Sequence, residues 1–383
     1  VALTSRGVDR WKAGYPWIYQ SDVVAGPSLQ GGEAVRVLDA RGWLLGQAFY
    51  SRRSKIALRW MAADDTPIDA ELFRARIAAA DGLRTTAFPG ETTYRAVHGE
   101  SDLMPGVVVD RYGDYLSIQF LIAATDQRRE QLTDLLVAHF KAKGAVERSD
   151  VGARLLEGLE LRKGPLRGQV PERIPFREGQ VTLLADLLGG QKTGTFLDQR
   201  ENHIRAGEYA RGQALDCFSY TGAFALQMAQ RADHVTAVEI SDAAAAQIRA
   251  HAEANGAKNL EVVVANAFDF LRDAVDDGRK FDTVVLDPPS FAKNKAAIPG
   301  ALRGYKEINL RALQLLRPGG HLITASCTYH VDEAAFEELL RSAAADARRQ
   351  VQVVERRGAS RDHPVLLSLR ETRYLKCFVL RAL

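Results

Sequence analysis

Ala214-Leu215-Asp216-Cys217-Phe218-Ser219-Tyr220-Thr221-Gly222-Ala223-Phe224 is the stretch that decides the fold. A short apolar run meets an acid, a polar and aromatic turn follows, and a glycine opens a helical run. Strand, turn and helix in that order are the unit from which parallel sheets are wound. The turn lacks the GxGxxG spacing of a dinucleotide site. One glycine approaches the ligand, and no helix N-terminus is cleared for a pyrophosphate. A nucleoside without phosphates therefore fits better than NAD, and a dinucleotide oxidoreductase is disfavoured.

Two later runs end the same way. Thr283-Val284-Val285-Leu286 stops at Asp287-Pro288-Pro289-Ser290-Phe291, and Gly320-His321-Leu322-Ile323 runs through Thr324-Ala325-Ser326 to Cys327-Thr328. In an open parallel sheet the carboxyl ends of the strands share one crevice where ligands bind. Val238-Glu239-Ile240 ends a second strand 23 residues after Asp216, where an acid can accept hydrogen bonds from ribose hydroxyls. A third strand ends at Val264-Ala265-Asn266-Ala267, where a polar group can read an adenine edge. Two prolines after Asp287 fix the backbone and cannot prolong the ladder. Phe291 offers a stacking face for a flipped base. Cys327 has Ser326, Thr328 and Tyr329 as neighbours and is the thiol placed to attack an electrophilic carbon. Its thiolate would need a nearby cation or helix N-terminus. Cys217 and Cys377 read as small core residues.

The pattern upstream is different. Glu33–Leu38, Trp43–Tyr50 and Ser54–Trp60 read as strands of a small sheet or barrel, with a turn at Asp39–Gly42. A helix is expected over 69–84 with Asp69 as N-cap, strands from Tyr94 to Phe120, and a helix over about Asp126–Lys143. The Gly- and Pro-rich stretch from Lys163 to Pro175 reads as a hairpin or linker. Beyond it strands are expected near 181–187, 214–217, 235–239, 260–264, 282–287, 320–325 and 375–380. A late pair, 351–355 and 373–381, is expected to include an antiparallel member. No internal repeat is present. The expected domains are a β-rich module at 1–68, a central α+β domain at 69–178 and an α/β domain at 179–383.

The 383 residues carry a formal charge of +3, and hydrophobic and charged contents of 46% and 26% are those of ordinary globular proteins. Residues 1–60 hold nine Lys or Arg against four acids, +5, which leaves about −2 for the rest. A basic module ahead of a near-neutral body is consistent with a nucleic-acid tether. No apolar stretch approaches the roughly 20 residues of a membrane span, and no signal-peptide pattern is present. Three cysteines without a CxxC pair point to a reducing cytoplasm, with no disulfide framework and no metal site.

Together these segments resemble the class I S-adenosylmethionine-dependent methyltransferases of the bacterial ribosomal-RNA large-subunit cytosine-C5 type. The likeness is carried by Asp216 to Gly222, Glu239, Asp287-Pro288-Pro289-Ser290-Phe291-Ala292-Lys293 and Ser326-Cys327. The run Gln191 to Arg200 resembles that family's segment over the cofactor. Leu103 to Asp114 and Tyr15 to Tyr19 resemble its middle and N-terminal domains, the latter a PUA RNA-binding module. The resemblance implies a Rossmann-like, mixed seven-stranded sheet preceded by a PUA-like domain and a small α+β domain. It implies S-adenosylmethionine held by Asp216, Phe218, Ser219, Tyr220, Gly222, Glu239, Ile240, Asn266, Ala267 and Asp287, with Thr193, Phe196, Asp198 and Arg200 from the covering segment. Cys327 would attack cytosine C6, with Asp287 as the second catalytic group, and Pro288, Pro289, Phe291 and Lys293 would bind the base. The partner would be RNA, either 23S ribosomal RNA or a ribosomal assembly intermediate. A homodimer is left open. Asn266 departs from the family's usual Asp, but its carbonyl oxygen can accept the same bond. The Asp287 loop lacks the second cysteine of many cytosine-C5 RNA enzymes, so the group that takes the C5 proton is open. Methylation of a purine nitrogen, which needs no Cys327, and a non-catalytic RNA-binding homologue are the alternatives.

Overall fold

The structure is a computed structural model that describes residues 1–24, 29–190, 193–292 and 294–383. The chain forms two compact units that are not contiguous in sequence. The first comprises Val1–Phe176, Ala185–Asp198 and Arg361–Thr372; the second comprises Arg177–Leu184, Gln199–Ser360 and Arg373–Leu383.

The first unit opens with a six-stranded sheet in the order Trp17–Tyr19, Ile56–Ala62, Leu44–Tyr50, Ala34–Leu38, Ala2–Leu3 and Val23–Val24. The Asp39 carboxylate makes its turn by accepting from the Arg41 and Trp43 N–H groups. Trp11 is 7% exposed, and its indole donates to the Leu45 carbonyl. It packs the sheet rather than meeting a ligand. Trp17 is also engaged, donating to Glu100. Buried Arg59 bonds Glu100 and Glu157, and Ser51 donates to Glu157, so this sheet is tied to the rest of its unit.

A five-stranded sheet follows, in the order Arg162–Gly168, Gly144–Ser149, Tyr115–Phe120, Val107–Tyr112 and Thr93–His98. Helix Ala70–Ala87 packs on it, capped by Asp69 as expected. The helix read over 126–143 is two, Ala123–Gln127 and Arg129–Phe140. Part of the Gly- and Pro-rich stretch is an edge strand, Arg162–Gly168, antiparallel to Gly144–Ser149. An edge tolerates Pro165, whose missing N–H would break an inner ladder.

The second unit holds a seven-stranded sheet in the order Leu260–Val264, His234–Glu239, Gln213–Cys217, Phe281–Leu286, Leu316–Ser326, Lys376–Ala382 and Val351–Arg357. The first five are mutually parallel, and Lys376–Ala382 is antiparallel to both of its neighbours. The expected strand at 181–187 is Val181–Ala185 and belongs to a separate two-stranded sheet. Val351–Arg357 completes the seven in its place. Side chains alternate between two cores, as a doubly covered sheet requires. Leu215, Val284, Leu286, Leu322 and Phe378 face one. Ala214, Val285, Ile323, Ala325 and Val379 face the other. Among the described residues no helix is long and apolar enough to cross a membrane.

Candidate active site

Parallel register brings the second unit's strand ends to one edge. Cys217 lies beside Val238 and Leu286, and Leu286 lies beside Thr324. The turn after Cys217, Glu239, Asp287 and Cys327 therefore share that edge.

Asp216 is fully buried. One carboxylate oxygen accepts from the Ala225 N–H at 3.1 Å, while Oδ1 has no hydrogen-bond partner. Burial, with Asp287 adding to it, pushes this carboxyl up to about 7. The turn that follows holds Phe218 and Tyr220 at φ of 66° and 50°. Its bonds run from the Ser219 N–H to the Val238 carbonyl and from the Gly222 N–H to the Ser219 carbonyl. Gly222 is required twice over. Its φ is +84°, and a Cβ there would stand 2.9 Å from Ile248.

Glu239 braces this edge. One oxygen accepts from the Tyr220 N–H at 2.8 Å and the other from the Ser241 N–H at 2.9 Å. Ile240 beside it is 67% exposed. Asn266 is exposed and caps helix Ala267–Asp276, its side-chain oxygen accepting from the Phe268 N–H; Ala267 is buried. Phe218, Phe268, Phe291 and Tyr305 form a run of ring contacts, the tightest being Phe291 to Tyr305 at 4.6 Å between centroids. Phe291 is thus half-buried in an aromatic cluster.

Pro288 is buried and Pro289 exposed. The loop they begin is tied to the next strand end, where the Ser290 hydroxyl meets that of Thr328 at 3.1 Å. Thr328 also bonds the buried Tyr305 hydroxyl at 2.7 Å. Cys327, between Ser326 and Thr328, is half-buried. Cys217 and Cys377 are sealed in the core. Burial pushes their thiols up, that of Cys377 to about 12.

Two residues here escaped the sequence reading. Lys376 pairs with Ser326 across the sheet and is 4% exposed. Its ammonium donates at 2.8 Å to the carbonyls of Thr328 and Tyr374. Burial pulls it down to about 8, and the field of Cys327 opposes that fall. A lysine in the otherwise apolar Tyr374–Val379 strand was the available signal. Gln199 donates to Asp287 at 2.7 Å.

Of the expected covering segment, Thr193, Phe196 and Asp198 belong to the first unit and Arg200 to the second. Thr193 is buried and its hydroxyl donates to Asp110, which also pairs with Arg95. Asp198 and Arg200 are buried and Phe196 half-buried. Lys293 lies outside the described residues.

The edge geometry and strand order define a Rossmann-like methyltransferase sheet, and comparison with solved structures agrees. A Streptococcus mutans protein described as a putative SAM-dependent methyltransferase matches with a TM-score of 0.84 at 22% identity, covering 100% of this chain and 99% of that one. SMU.776, solved in complex with SAH, matches at 0.85 and 23%, with the same coverage. A family described as PUA-like domain matches residues 1–62, and one described as conserved hypothetical protein 95 matches residues 201–327. The relatives are more specific. Ribosomal RNA large subunit methyltransferase I of Photobacterium profundum is 38% identical, covering 95% of this chain and 94% of its own. That of Shewanella amazonensis is 40% identical, with coverage of 96% and 95%. The chain belongs to the ribosomal RNA large subunit methyltransferase I family.

Proposed function

We propose that this protein is an S-adenosylmethionine-dependent methyltransferase that forms 5-methylcytosine in large-subunit ribosomal RNA, with Cys327 as nucleophile. The name its relatives carry supports the reaction class and the RNA. The observation that carries the finer reading is the contrast among the cysteines. Cys327 alone stands half-buried at a strand end, beside a buried lysine and a loop headed by Asp287.

The residues present fit the cofactor. Asp216 Oδ1 is a buried oxygen without a partner, which a ligand's donor would satisfy. Glu239 keeps a second lone pair on each oxygen for ribose hydroxyls. The amide of exposed Asn266, with Ala267 and Ile240 beside it, would meet the adenine. Phe218, Ser219, Tyr220 and Gly222 supply the turn against which the nucleoside lies, and Arg200 is assigned to its cover. When bound, the cofactor supplies an electrophilic methyl sulfonium.

Cytosine C5 is a poor nucleophile. Addition of the Cys327 thiolate to C6 converts the ring to an enamine whose C5 can take the methyl group. Lys376 provides the cation that favours the thiolate. Asp287 holds the amino edge and stabilises the protonated ring nitrogen. Pro288, Pro289 and Phe291 shape the base pocket, and Lys293 is assigned to the RNA. Loss of the C5 proton and departure of the thiolate release the product and restore Cys327. Incubating unmodified large-subunit RNA with the protein and S-adenosylmethionine tests this directly. Nucleoside mass spectrometry should find 5-methylcytosine; a methylated purine nitrogen with no 5-methylcytosine would replace the reading.

A further inference from the structure

Asp287 sits at the end of a chain of side chains whose donors and acceptors can be ordered in only one way. Arg357 Nε donates to Asn202 Oδ1 at 2.8 Å. Asn202 Nδ2 donates to Gln199 Oε1 at 2.7 Å and to the Gly358 carbonyl at 3.0 Å. Gln199 Nε2 donates to Asp287 Oδ1 at 2.7 Å. A guanidinium can only donate and an ionised carboxylate can only accept. With those two at the ends, turning either amide over would set a donor against a donor or an acceptor against an acceptor. Gln199 and Asn202 are 3% and 1% exposed, so water cannot repair such a mismatch. Glu355 pairs with Arg357 at 3.1 Å and keeps that end in place.

We propose that Gln199 is a positioning residue for methyl transfer: its amide, oriented from Arg357 through Asn202, fixes the Asp287 carboxylate toward the target base. This rests on reading Asp287 as the base-binding carboxylate. The chain holds one oxygen of Asp287 and so restrains rotation of the carboxylate.

The test uses the full-length protein with its RNA. Gln199→Met keeps the length and removes the donor; Gln199→Glu keeps the shape and sets a carboxylate against Asp287. For both, kcat should fall about 10–100-fold near neutral pH, as for a misplaced catalytic group. Affinity for S-adenosylhomocysteine and the melting temperature should stay close to wild type. For Gln199→Glu, the ratio of its kcat to that of wild type should climb as pH falls from about 8 to about 6, because the paired carboxyls then share a proton and position 199 donates again. The Gln199→Met ratio should stay flat. A Gln199→Met kcat within about twofold of wild type would overturn the proposal, as would a pH-independent ratio for Gln199→Glu, since a purely structural role gives no acid rescue. The ratios are taken on whichever base wild type methylates. A purine product would therefore contradict the cytosine reading while the ratios still decided the role of Gln199.

Discussion

The reactivity proposed for Cys327 rests on the difference between one thiol and two others of the same type. Cys217 and Cys377 face the sheet's two cores, where burial holds them protonated. Cys327 lies beyond the last ladder pair of its strand, which runs from His321–Arg381 to Ser326–Lys376. Lys376 is raised by Cys327 first among its charged neighbours, then by Asp332 and Glu333 at the start of the next helix. Removing the cation should make the thiolate harder to form. Lys376→Met should shift the pH midpoint of Cys327 alkylation by iodoacetamide upward by about one unit, and Lys376→Arg should restore most of it. An unchanged midpoint would remove Lys376 from the account. The cysteine was legible in the sequence because its strand could be seen to end. The lysine was not, because its partner strand comes from the far end of the chain and antiparallel pairing sets it opposite Ser326.

At the scale of the element, the turn between Cys217 and Ala223 is the least replaceable part of the sheet. Three positive φ values lie within it, and Glu239 holds it from the neighbouring strand. Gly222→Ala should cost about 1–3 kcal/mol from left-handed strain, as seen by chemical denaturation. It should also weaken S-adenosylhomocysteine binding measured by calorimetry, because the turn must shift away from Ile248. Unchanged stability and affinity would show that the turn relaxes freely. The parallel strands could be read from their apolar runs. Val181–Ala185 carries the same signal, and only hydrogen bonding tells which sheet it joins. Arg162–Gly168 was obscured by Gly164 and Pro165, which edge strands tolerate and inner strands do not.

For the whole molecule, the N-terminal sheet carries the uneven charge. Arg41, Arg52 and Lys55 are exposed there. Removing the sheet would strand Glu157, which is 5% exposed and bonded by Arg59 and Ser51. Point changes therefore read its role more cleanly than truncation. The triple variant R41A/R52A/K55A should weaken RNA binding and reduce the slope of log K against log salt by about one per lost phosphate contact. Cofactor affinity should not change. An unchanged slope would assign this face to packing alone. The charge asymmetry was visible in the sequence. The burial of Trp11 was not, since a tryptophan on the short helix Ser5–Lys12 fits either side.

The central claim is that Cys327 bonds covalently to the target base. Full-length protein incubated with S-adenosylmethionine and large-subunit RNA carrying 5-fluorocytosine should form an adduct that survives denaturing electrophoresis, because fluorine at C5 cannot leave as a proton. The adduct should persist in Cys217→Ala and Cys377→Ala and be absent in Cys327→Ala, which should retain cofactor affinity and lose methyl transfer. Substantial turnover by Cys327→Ala, with no adduct in wild type, would contradict the claim.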